Sequence, residues 1–307
     1  MTNRFGLLAT AMVTPFTDNL EVDYDKAAKL ALKLVEEGND SLVVCGTTGE
    51  SPVLSSEEKV KLFKTVKAAV GPKVPVIAGT GSYDTKATIK LSLQAAEAGA
   101  DALLLVSPYY NKPSQEGLVQ HFQAVLDAVE LPAMLYNIPG RTGVEILPET
   151  LMRLAEHPRA VAVKQSLLSV DPISDLAARL SRVKVAAGAG GSPEAAMAIY
   201  SGDDSNILPH LSVGGKGVVS VAGHVAARPI KQMLEAFVAG RVQEAVDLHL
   251  RLFPLFKVLF VTSNPAPVKA ALGLQGFPVG GVRLPLVAAN SDEVSQVEAV
   301  MREAGLL

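Results

Sequence analysis

The sequence predicts an α/β protein, a (β/α)8 TIM barrel followed by a C-terminal helical extension, and three observations carry that reading. Short runs rich in Val, Ile and Leu begin at residues 41, 75, 102, 133 and 160, about 30 residues apart, which is the length of a βα unit. These runs are apolar on both faces, as strands must be in a parallel sheet covered by helices. Each run leads through a polar or Gly-rich turn into a segment of helical periodicity.

In chain order the expected strands are residues 7–13, 41–45, 75–79, 102–106, 133–137, 160–164 and 217–221. Closure of a barrel needs one more strand between Arg182 and Asp204, where residues 183–187 and 197–201 compete. A weak echo marks two helix-to-strand joints: Glu37-Gly38-Asn39-Asp40-Ser41-Leu42 resembles Ala98-Gly99-Ala100-Asp101-Ala102-Leu103, with Gly ending a helix in each. After Val221 the pattern changes. Residues 229–240, 241–256 and 291–304 read as helices, and a Pro/Gly-rich stretch spans 264–285. The expected division is a catalytic barrel over residues 1–228 and a packing or oligomer element over 229–307.

Composition narrows the partners. With 49% hydrophobic and 19% charged residues, a formal net charge of −3 and no dense Lys/Arg block, the chain has no electrostatic footprint for nucleic acid or an anionic membrane. No run of 18 apolar residues occurs, and the apolar stretch 5–13 runs into Thr14-Pro15 rather than a cleavage site, so the expected address is cytoplasmic. Cys45 is the only cysteine, and the five histidines lack metal-ligand spacing, so neither a disulfide nor a zinc site is expected.

In such barrels the chemistry lies at the C-terminal ends of the strands. Lys164 closes the apolar run 160–163. A lysine there either snorkels to water or is desolvated into a nucleophilic amine that forms a Schiff base. The second strand ends in Gly46-Thr47-Thr48-Gly49-Glu50-Ser51, hydroxyls and amides between glycines, suited to a carboxylate or simply to a tight turn. The fourth ends in Ser107-Pro108-Tyr109-Tyr110-Asn111-Lys112-Pro113 and the fifth in Tyr136-Asn137-Ile138-Pro139-Gly140-Arg141-Thr142-Gly143. A phenol can shuttle protons during imine formation, and an arginine fork can grip a second carboxylate. Together these groups read as a metal-free, class I aldolase or lyase acting on a 2-oxo acid.

Four motifs carry a more specific resemblance: Gly46 to Glu50, the run PYYNKPSQEG at 108–117, the run YNIPGRTG at 136–143, and Ser201-Gly202-Asp203-Asp204. They resemble the dihydrodipicolinate synthase family over nearly the whole chain. The resemblance implies condensation of pyruvate with L-aspartate 4-semialdehyde to 4-hydroxytetrahydrodipicolinate, on the route to diaminopimelate and lysine. It implies that Lys164 forms the pyruvate imine and no other cofactor is used. Thr47 and Thr48 would hold the pyruvate carboxylate beside Val219, Tyr136 would be the general acid/base, and Thr47 would link it to Tyr110 in a proton relay. Arg141 would bind the semialdehyde carboxylate. Tyr110 would reach into a neighbouring subunit's site, in a homotetramer built as a dimer of dimers.

Two departures stand against that pattern. Family synthases usually follow the lysine with an acidic residue and a Gly-containing turn, whereas this chain has Gln165-Ser166-Leu167-Leu168; a glutamine there is similar to the N-acetylneuraminate lyase branch. That keeps open another Schiff-base aldolase, such as N-acetylneuraminate lyase or a 2-keto-3-deoxy-sugar-acid aldolase, and a non-catalytic homologue. The stretch before Gly202 is also longer than usual by about a dozen residues, with the surplus at 186–193 (AAGAGGSP), which lacks the Gly-Lys-Ser/Thr ending of a P-loop. Asp203-Asp204 is expected to cap a helix rather than hold a metal. In lysine-inhibited members a His, an Asn and a Glu line an interface site; their counterparts here are Lys59, Tyr83 and Ala87, so weak or absent inhibition by lysine is expected.

Overall fold

The computed structural model describes residues 4–167, 169–183 and 196–307. Eight parallel strands close in sequence order: β1 (Leu8–Ala11), β2 (Ser41–Val44), β3 (Val76–Gly79), β4 (Ala102–Val106), β5 (Ala133–Asn137), β6 (Ala160–Gln165), β7 (Ala198–Ser201) and β8 (Gly217–Ser220), the last pairing back onto β1. Helices α1 (Tyr24–Glu36), α2 (Ser56–Val70), α3 (Thr85–Glu97), α4 (Gln115–Ala128), α5 (Pro139–Thr142), α6 (Pro148–Ala155), α7 (Asp171–Leu180), α8 (Ile207–Ser212) and α9 (Ala227–Val238) connect the strands or follow the last one. Beyond them come α10 (Val242–Val258), α11 (Ala266–Leu274) and α12 (Ser291–Glu303). The eight-stranded barrel with added C-terminal helices is therefore the observed architecture.

The strand expected between Arg182 and Asp204 is β7, the second of the two competing runs. The rival run 183–187 falls mostly outside the described residues, as does the surplus at 186–193 and Leu168. One helix escaped the sequence reading: α11 lies inside the Pro/Gly-rich stretch. Its Pro267 occupies the first turn, where a proline without an N–H costs nothing, so a residue that reads as a breaker is here a starter.

Strand alternation sorts the core into two shells. Ala9, Ala11, Val43, Ile77, Leu104, Met134, Tyr136, Ala162, Tyr200 and Val219 fill the barrel interior, while Leu8, Leu42, Val44, Leu103, Leu105, Leu135 and Val163 face the helices.

The sequence echo at the joints has a physical basis. Asp40 Oδ2 accepts from Leu7 N at 2.7 Å and Leu8 N at 3.0 Å, and Asp101 Oδ2 accepts from Val76 N at 2.8 Å. Each aspartate thus ties the start of the preceding strand, β1 or β3, to its own. Each is also paired with a lysine from the helix layer, Lys231 for Asp40 and Lys67 for Asp101.

Candidate active site

Residues opposite one another on neighbouring parallel strands share a face. The register pairs Tyr136 with Lys164 across β5 and β6, and Lys164 with Tyr200 across β6 and β7, so all three side chains are directed into the barrel. Lys164 does not snorkel: it is 5% exposed, its Nζ lies 4.4 Å from the centroid of the Tyr136 ring, and among the described residues no carboxylate pairs with it. The Tyr200 hydroxyl is turned to the opposite end of the barrel, where it donates to Gly6 O at 3.0 Å.

Space around Lys164 is fixed by Gly202. A Cβ at that position would sit 2.0 Å from Ser166 Oγ and 2.9 Å from Lys164 Cε, so the lysine chain occupies the room that any larger residue would need.

The loop after β2 is bracketed by two residues with left-handed backbone, Cys45 at φ 57° and Glu50 at φ 55°. Such conformations are strained for residues bearing a Cβ and persist only where surrounding structure holds them. Inside the bracket Gly49 N donates to Gly46 O, and Glu50 N to Thr47 O. Among the described residues the amides of Thr47 and Thr48 find no protein acceptor. Free amides and hydroxyls in one tight turn form an anion nest. Cys45 adds no nucleophile to it, because burial pushes its thiol up to about 12.

This loop lines a cavity of about 210 Å³ at the mouth of the barrel, together with Gly81, Leu104, Val106, Tyr109, Tyr136 and Arg141. Thr47 lines it, and Thr48 stands behind, buried, accepting from Asn264 Nδ2 at 2.9 Å. Arg141 sits on the one-turn helix α5 at the rim with no carboxylate partner among the described residues. Val219 belongs to the same apolar interior cluster as Tyr136. Lys164 is not part of the cavity wall; Tyr136 is the residue that connects the two.

Tyr110 is not brought to this cavity. It has φ 71° and is 92% exposed, while its neighbour Tyr109 lines the wall and packs edge-on against Tyr83 at 5.3 Å. The resemblance gives Tyr110 a role in a neighbouring subunit's site and gives Tyr109 none, so Tyr109 is the wall residue that sequence reasoning missed. Burial raises the Tyr109 phenol above its ordinary range.

Two buried networks set the strand ends. Asn137 exchanges hydrogen bonds with the backbone of Ile146 at 2.9 and 3.1 Å, and its Nδ2 also donates to Gln165 Oε1 at 2.9 Å. Gln165 thus supplies, with a carboxamide oxygen, the acceptor that fixes the loop carrying Arg141. Asp204, which the sequence suggested as a cap, accepts instead from Val221 N and Ala222 N at 2.9 Å and from the Ser220 hydroxyl, joining β7 to β8; Asp203 is the capping residue. His224 donates through Nδ1 to Val221 O and accepts from Val13 N at 3.0 Å, a neutral tautomer that burial enforces by lowering its pKa to about 4.

Among the described residues no cluster of three or more His, Cys, Asp or Glu is arranged to hold a metal ion, and no helix is long and apolar enough to cross a membrane.

Comparison with known proteins agrees with this geometry. The family model described as "Dihydrodipicolinate synthetase family" matches residues 4–304. A 4-hydroxy-tetrahydrodipicolinate synthase from Heliobacterium modesticaldum is 56% identical, over 98% of this chain and 96% of the relative. The crystal structure of a dihydrodipicolinate synthase from Bacillus anthracis superposes with a TM-score of 0.91 at 45% identity, over 97% and 98% of the two chains. One from Cyanidioschyzon merolae, solved with lysine bound, gives 0.92 at 45% identity over 99% of each. A lysine at the end of β6, an anion nest at the end of β2 and a family match across nearly every residue converge: the chain belongs to the dihydrodipicolinate synthetase family.

Proposed function

We propose that the protein is a lyase that condenses pyruvate with L-aspartate 4-semialdehyde to 4-hydroxytetrahydrodipicolinate through an imine on Lys164. The observation that carries this is the buried Lys164, without a carboxylate partner among the described residues, whose amine lies 4.4 Å from the ring of Tyr136, a residue that lines the same mouth as the Thr47 nest.

The residues divide the work as follows. The pyruvate carboxylate rests on the free amides and hydroxyls of Thr47 and Thr48, which points its carbonyl carbon toward the barrel interior. Lys164 Nζ attacks that carbon, and the carbinolamine loses water to give the imine. Tyr136 delivers the proton to the leaving hydroxyl and later removes one from the methyl group, giving the enamine. Val219 and its apolar neighbours form the floor under the reacting carbons. The enamine carbon then attacks the aldehyde of the second substrate, whose carboxylate is held by Arg141 at the rim. Attack of that substrate's amino group on the imine carbon closes the ring and releases Lys164. All of these steps are proton transfers and additions between the two substrates and side chains of this chain, so the mechanism needs no metal or added cofactor.

Tyr110, exposed and held outward, is in this reading a relay residue for a second copy, acting through that copy's Thr47 on its Tyr136. The assembly that follows is a homotetramer, a dimer of dimers, acting in the cytoplasm on small molecules, without nucleic acid or membrane.

The test is a condensation assay with both substrates, following the cyclic product by a coupled reductase. Turnover that disappears in Lys164→Ala supports the reading. No turnover, with Lys164 still trapped by pyruvate and borohydride, would assign the imine chemistry to a different acceptor.

A further inference from the structure

The nest that receives the carboxylate is held from behind by a segment far away in sequence. Glu50, the left-handed residue that ends the nest, is fully buried and points away from the mouth. Its Oε1 lies 2.7 Å from Lys269 Nζ on α11, and its Oε2 accepts from Arg283 N at 2.9 Å. Lys269 donates to Gly281 O at 2.6 Å and lies 4.3 Å from the centroid of the Phe16 ring. Asn264, just before α11, donates to Thr48 Oγ1. Residues 264–283 therefore grip the nest at both its middle and its end.

Burying a cation and an anion together adds little net stability, because desolvation offsets the attraction, yet removing one partner is costly. Burial lowers the Lys269 pKa, with Glu50 opposing that shift. A well-packed apolar pair would stabilise the fold equally well, but it would not pin a strained backbone at Glu50. The hydrogen bond from Asn264 has a directional effect as well: it occupies a lone pair of the Thr48 hydroxyl and leaves its proton to be donated elsewhere.

We propose that the Glu50–Lys269 ion pair, with Asn264, is the positioning element that holds the Thr47–Thr48 nest in its carboxylate-binding shape, making the α11 segment part of the pyruvate site. This rests on the imine reading above. Neither Lys269 nor Asn264 touches the substrate; both act through the nest.

The experiment measures the pyruvate concentration for half-maximal borohydride trapping of Lys164, alongside the KM for each substrate. In Lys269→Met, half-trapping and the pyruvate KM rise by roughly tenfold while kcat and the semialdehyde KM change by less than about threefold. The double variant Glu50→Gln/Lys269→Met removes both charges and recovers thermal stability, because no unpaired charge remains, while its half-trapping concentration stays raised; recovery of half-trapping along with stability would overturn the proposal. Lys269→Met that melts earlier but keeps the unmodified protein's half-trapping concentration would overturn the proposal, leaving the pair a purely structural contact. Should Lys269→Met fail to fold, Asn264→Ala decides: a raised half-trapping concentration supports the proposal and an unchanged one overturns it. Absence of trapping in the unmodified protein would remove the imine reading, and this proposal with it.

Discussion

The two ends of the barrel solve opposite problems with different residues. At the end where the strands begin, left-handed turns are given to glycine, as at Gly38 and Gly99, and the polar groups there are paired, with Asp40 and Asp101 each serving both backbone amides and a lysine. At the end where the strands finish, left-handed positions include, beside Gly143, the side-chain-bearing residues Leu20, Cys45, Glu50, Tyr110 and Lys112. There the chain accepts backbone strain to present side chains, and it leaves Lys164 and Arg141 without ionic partners among the described residues. One end stores stability and the other is held ready for ligands.

That contrast can be broken most sharply at the mouth. Lys164→Ala removes the amine that the register directs into the interior and is expected to lower turnover about 10³-fold or more while the protein stays folded. Gly202→Ala places a methyl group 2.9 Å from Lys164 Cε. Displacing the amine should cost roughly 10²-fold in kcat, and steady-state kinetics beside a melting curve would separate this from unfolding.

Acid probes buried groups at both levels of the fold. His121, His210 and His224 each have a folded pKa of about 4, below the ordinary 6.5, because burial disfavours their charged forms. The unfolded chain therefore binds more protons between those values. Stability should be complete above about pH 7 and fall as pH drops from 6.5 toward 4, by up to about 1.4 kcal/mol per pH unit for each group. Urea midpoints measured across that range check the sign; a midpoint that rises on acidification would contradict it.

Asp101→Ala addresses the opposite end. It leaves Val76 N and Lys67 without their partner and should cost about 1–3 kcal/mol of stability, with kcat and KM unchanged below the melting transition. The smallest expected effect is that of added lysine. The resemblance puts Lys59 and Ala87 where lysine-inhibited members carry a His and a Glu, so added lysine is expected to inhibit weakly or not at all; half-inhibition at sub-millimolar lysine would refute this.

What could be read in advance follows the same division. Strands showed in the sequence because a strand buried on both faces has no choice but a continuous apolar run, and Lys164 stood out by ending one. The nest was legible because glycines bracket its hydroxyls. The seventh strand was ambiguous because two short runs of similar apolarity, 183–187 and 197–201, compete between Arg182 and Asp204, and strand pairing of the second with β6 and β8 identifies it as β7. Helix α11 was hidden by its prolines. Asn264 and Lys269 were invisible as parts of the site, since nothing local marks a residue that acts across more than two hundred positions. Gln165 read as a departure; in the fold its carboxamide oxygen accepts from Asn137 Nδ2.

The account rests on an imine between pyruvate and one amine, and the most direct measurement is mass spectrometry of the protein after incubation with pyruvate and borohydride, with the modified peptide sequenced. It predicts a single reduced pyruvate adduct, located on Lys164, that does not form without pyruvate. An adduct on another lysine, or no adduct at saturating pyruvate, would contradict it.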